Sequence, residues 1–214
     1  MRAIRPLSLT AVVATAAALA LSLPPGRVLI EQSMVWHMLA QMPLLLLAGA
    51  LAAAAAEQHR WSNRAADRLQ RAARFNRYGL GSLMLAQCLL AYWMLPALID
   101  RAVLLPGADA AKLAGLWIAG AALRLGLRQA PAAVQLFFGG TALPMLVWLG
   151  LYMAAGETRL CNAYTLDSQI LAGRGLVALA LGVGTAWVAW HLRARLRERG
   201  APAAPGQRLP HRAP

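Results

Sequence analysis

The chain has 214 residues, 59% of them hydrophobic and 14% charged, with a net charge of +13 at neutral pH. So apolar a composition, with long uncharged runs, excludes a soluble globular domain and places the chain among polytopic membrane proteins. The positive charge is then read as a topology signal and not as nucleic-acid binding, and the two cysteines are too few for a disulfide framework.

Six segments have the length and apolarity to cross about 30 Å of hydrocarbon at 1.5 Å per residue. They are residues 7–23, 33–56, 78–98, 113–127, 131–155 and 170–192. The expected fold is therefore an all-α helical bundle over residues 1–192, followed by a basic tail, residues 193–214, whose Pro, Ala and Gly predict disorder. The first segment follows a short basic start and precedes SLPPGR, so it reads either as a cleaved signal or, as favoured here, as a retained helix. The fourth is the weakest, because Arg124 and Arg128 shorten it.

Lys and Arg counts orient the chain. With the N-terminus inside, sixteen of the 21 lie on the inner side, including Arg60, Arg64, Arg68, Arg71, Arg74, Arg77, Arg124, Arg128 and the tail arginines. The outer side holds Arg27, Arg101, Lys112, Arg159 and Arg174 against Glu31, Asp100, Asp109, Glu157 and Asp167. The predicted topology is N-in and C-in, in a bacterial inner membrane. Loop residues 57–77 place arginines at 60, 64, 68 and 71 on one helical face, opposite Trp61, Leu69 and Phe75. That pattern fits an interfacial helix drawn to anionic lipid, or equally a loop that only sets topology. Trp36, Trp61, Trp93, Trp148, Trp187 and Trp190 fall toward segment ends and read as interfacial anchors. The chain has no phosphate loop, dinucleotide fingerprint or GxSxG elbow, and no enzymatic activity is expected.

The chemistry concentrates at the start of the second segment. Met34, Met38 and Met42 recur every four residues, with His37 three after Met34 and four before Gln41, so thioether, imidazole and amide share one face near the outer surface. Thioethers with an imidazole suit Cu(I), whereas Zn wants more His or Cys and Mg or Ca want carboxylates. Met94, Met153 and Cys161 are further donors expected at the same depth, while Asp167 and Gln169 are expected to order the last outer loop or dock a partner. The bland alternative is that methionines fill the core and His37 is satisfied by a carbonyl or by Gln41.

The stretch SMVWHMLAQMPLLLLAG, residues 33–49, resembles the signature of the cytochrome c oxidase assembly factor family of the CtaG type. His37 and Met38 match its second His-Met pair, with Pro43, Leu44, Leu45 and Gly49 behind them. LDSQILAG, residues 166–173, resembles a second family stretch through Gln169, Leu171, Ala172 and Gly173. Ser33 stands where the family has its first His, and the chain is about one helix short. The resemblance implies a membrane assembly factor that supplies copper, as transient Cu(I), to a respiratory haem-copper oxidase, with an oxidase subunit or a periplasmic copper chaperone as partner besides membrane lipid. The alternatives are a metal transporter, a ligand-free scaffold, or a b-type cytochrome with His37 as one axial ligand, which His191 is too distant to complete.

Overall fold

A computed structural model describes residues 6–23, 26, 32–58 and 76–200. Among these the chain is helical, without strands. In chain order, α1 is Pro6–Ala20, a π-helical turn Trp36–Gln41 runs into α2 (Met42–Gln58), and a 3-10 turn Arg77–Gly79 opens α3 (Leu80–Trp93). Then come α4 (Pro96–Leu104), α5 (Pro106–Gln129), α6 (Ala132–Ala155) and α7 (Leu166–Gly200). Most of these helices are apolar on every side, as expected where the surroundings are as greasy as the core.

Among the described residues four helices have the length and apolarity of membrane spans: Trp36–Glu57, Pro106–Gln129, Ala132–Ala155 and Leu166–Arg193. The expected third span, residues 78–98, is not one straight helix. It stops at Trp93 and turns by 71° into Pro96–Leu104, and the pair makes a fifth span if both halves are counted as one. Pro96 is the cause: it offers no N–H to the preceding turn and holds Leu95 extended at φ −70°, ψ 126°. The first expected span is a helix of 15 residues, shorter than a full crossing. The fourth, expected to be weak, is a 24-residue helix beginning at Pro106. It absorbs Asp109 and Lys112, which neutralise each other one turn apart. The last helix passes residue 192 and carries the first basic tail residues as far as Gly200. The rest of the tail and the interfacial stretch from His59 to Phe75 lie outside the described residues.

α2 and α5 run parallel and form the inner pair, because two glycines let their backbones meet. A Cβ at Gly49 would stand 1.9 Å from the Trp117 carbonyl oxygen, and one at Gly120 would stand 2.0 Å from that of Leu46. α1 lines one side of α2, and α3 packs antiparallel on α5. Trp93, expected at the interface, is instead buried with Met42, Leu45, Leu116 and Ala18. Its indole fills the space that the missing side chain of Gly115 leaves. α6 and α7 pack on each other, and meet the inner helices chiefly through a cluster around Met34 and Met153. At the opposite end of the bundle, Phe138 of α6 joins Leu83 and Ala130.

Candidate metal centre

The site grows from the π-helical turn. There the Met42 N–H reaches back five residues to the His37 carbonyl, widening the helix by one residue. Single π-turns of this kind are frequent at functional sites. His37, Met38 and Gln41 all point inward from it, and Met34 does so from the turn before.

His37 is 1% exposed, and its Nε2 has no hydrogen-bond partner. A buried polar nitrogen left unpaired costs about 1–3 kcal/mol, so it marks a place where a ligand would be stabilised. The Tyr164 ring lies 6.0 Å away, centroid to centroid, tilted by 30°. On the α1 side, Gln41 Nε2 donates to Ser22 Oγ at 2.9 Å, and Ser22 Oγ donates to the Ala18 carbonyl at 2.8 Å. Gln41 Oε1, also buried, makes no well-formed hydrogen bond, although the Gln41 side chain, four residues on, interacts with the His37 imidazole. From α5 the buried Lys112 ammonium bears electrostatically on His37, while Asp109 Oδ1 holds it at 2.8 Å. Asp109 balances the Lys112 charge formally, but the ammonium is the member of the pair whose field acts on the imidazole.

On the other flank the sulfur donors gather. Met34, Met38, Met153 and Cys161 are all buried in one cluster with Ile99, Tyr164, Ala172 and Leu176. Three separate stretches supply them: the π-turn region, the end of α6, and the loop between α6 and α7. Met94 is not part of this cluster; it is half-buried at the break between α3 and α4. Among the described residues no group of three or more His, Cys, Asp or Glu is assembled. What is buried at this end is one imidazole and, across the Tyr164 ring, three thioethers and a thiol, residue types of the soft kind Cu(I) accepts.

The loop that carries Cys161 is held by two side chains. Gln169, 1% exposed, accepts from the Leu160 N–H at 2.8 Å and donates to the carbonyls of Thr158 at 3.3 Å and Met153 at 3.4 Å. Asp100 of α4 accepts from the N–H groups of Asn162 at 3.1 Å and Ala163 at 3.2 Å. Asp167, in the first turn of α7, is exposed and takes no part in that clamp. Burial, and secondarily the Asp100 carboxylate, push the Cys161 thiol up to about 11, so near neutral pH the sulfur is protonated and uncharged. Cys88 is exposed in α3, and both cysteines are free.

Asp100, Tyr164, Lys112 and Ser22 were not singled out from the sequence. Asp100 and Lys112 looked like ordinary loop charges, and no local pattern distinguishes them. A single signal was available for Lys112, the Asp109–Lys112 spacing of three, which suits a helical pair. His191, the other histidine among the described residues, packs on Trp187 fifteen residues beyond Leu176. At 1.5 Å per residue that is roughly 22 Å along α7 from the His37 cluster, too far for one haem iron to take both.

Comparison with protein-family models, with curated proteins and with solved structures returns no match for this chain.

Proposed function

We propose that this protein is a membrane assembly factor that holds Cu(I) transiently among His37, Met34, Met38, Met153 and Cys161 and passes it to a haem-copper oxidase subunit or to a copper-carrying partner. The observation that carries this reading is the buried, unpartnered His37 Nε2 standing beside a sulfur-rich cluster drawn from three parts of the chain. Cu(I) is here a cargo: few neutral, exchangeable thioether ligands favour release over storage. The protonated Cys161 fits the same purpose, because engaging it costs a proton and so weakens the hold. In this reading the protein is a carrier and not an enzyme. The bundle lies in a bacterial inner membrane with both termini inside, and α1 and the bent α3–α4 pair complete six crossings. The arginine excess at the Glu57 end supports that orientation.

The test is Cu(I) binding to the purified full-length protein under reducing conditions, by competition with a chromophoric chelator. About one copper bound, and lost in His37→Ala/Met38→Ala, supports the reading. Binding indistinguishable between the native chain and that variant would refute it and leave a ligand-free scaffold.

A further inference from the structure

The end of the bundle opposite His37 holds an unbalanced charge cluster. Arg124 and Arg128, one turn apart in the last turns of α5, both donate to a single oxygen, Glu57 Oε2, at the end of α2; the Arg124 contact measures 3.3 Å. Among the described residues Glu57 is the acid they share, so two guanidinium groups meet one carboxylate and one positive charge is in excess. Their attraction to the C-terminal end of α5 offsets part of that charge only weakly. Both arginine side chains remain open, 41% and 59% exposed, while Glu57 is 18% exposed. The Arg124 Nε is buried and has no acceptor.

The surroundings are those of a membrane surface. Glu57 closes a 22-residue apolar helix, and Arg128 lies in the last turn of a 24-residue one, which is the depth at which lipid phosphates sit. Tyr78 is exposed at the same end, with the Arg77 guanidinium 5.8 Å from its ring centroid. Asn76 Nδ2 donates to Gln129 Oε1 at 3.4 Å, next in sequence to Arg128.

We propose that Arg124 and Arg128 form a binding site for the phosphate of an anionic phospholipid headgroup, with Glu57 as its internal competitor. Glu57 holds the two forks in place in the absence of lipid, and the phosphate takes the donors that one carboxylate cannot saturate. Because the site is on the far side of the bundle from His37, it stands or falls independently of the copper reading.

The experiment is lipid binding to the purified full-length protein by native mass spectrometry, with phosphatidylglycerol, phosphatidylcholine and inorganic phosphate as probes. Phosphatidylglycerol is expected to be retained over phosphatidylcholine, and Arg124→Gln/Arg128→Gln to cut that preference, by about fivefold for each arginine. Glu57→Gln is expected to raise phosphatidylglycerol affinity several-fold, a gain that damage to the fold does not produce. That variant keeps the test decisive should the double arginine change prevent folding. Equal retention of the two lipids, or a Glu57→Gln variant that binds phosphatidylglycerol no better, overturns the proposal. Displacement of phosphatidylglycerol by an equal concentration of inorganic phosphate overturns the lipid source and assigns the arginines to a soluble phosphate.

Discussion

Replacing Gln169 by Leu removes the polar clamp on the Cys161 loop while keeping nearly the same volume. The strongest bond lost is the 2.8 Å one from the Leu160 N–H; the two at 3.3 and 3.4 Å are long and contribute less. Counting about 1 kcal/mol for the short bond and about half that for each long one gives roughly 2 kcal/mol, lost mainly from the local stability of residues 156–165. At about 1.4 kcal/mol per tenfold, the loop then opens roughly thirtyfold more often. Cys161 is a buried residue of that loop, so its alkylation reads the opening directly once the exposed Cys88 is changed to Ser. In the Cys88→Ser background near neutral pH, Gln169→Leu should accelerate maleimide labelling of Cys161 about thirtyfold and lower the melting temperature only slightly. Labelling within twofold of the parent would mean that Gln169 does not hold the loop, and that Asp100 or the packing of Tyr164 does.

Two more outcomes follow from close packing and from titration. Gly49→Val puts a branched side chain where even a Cβ would lie 1.9 Å from the Trp117 carbonyl oxygen, and should cost about 3 kcal/mol or more of stability in detergent. Gly182→Ala meets nothing within 4 Å and should be neutral or slightly stabilising; equal melting temperatures for the two variants would contradict the α2–α5 contact. Cys161 carries a thiol value raised from 9.0 to about 11, so the unfolded chain loses that proton before the folded one does. Its contribution is therefore fully present below about pH 9 and is lost as pH rises toward 11, with a slope of up to about 1.4 kcal/mol per pH unit. Chemical denaturation of the native chain and of Cys161→Ser across that range should show the slope in the former and not in the latter.

Much of this was legible in the residues themselves. Apolar runs of span length have little choice but helix, because a backbone in lipid must satisfy its own N–H and C=O groups. A four-residue recurrence of Met with His37 between must share one face of such a helix. Sequence therefore determined that this is an all-helical bundle with helices of membrane-span length, and that Met34, His37 and Met38 share one side of one of them. It did not determine the break before Pro96: Leu95 and Pro96 read as the end of one span, whereas the chain turns and runs nine residues further as α4. Nor did it determine which distant groups reach His37. Met153 and Cys161 join Met34 and Met38 in one buried cluster whose Tyr164 lies against His37, and Met94 does not join it, because α7 packs on the π-turn at that end while α3 has already turned away. Trp93 looked like a boundary residue, and only the close approach of α3 and α1 to the α2–α5 pair buries it, against Ala18, Met42, Leu45 and Leu116. Local period is a property of one helix; which faces meet depends on where the glycines let helices approach and on which helix bends, and those are decisions of the tertiary structure.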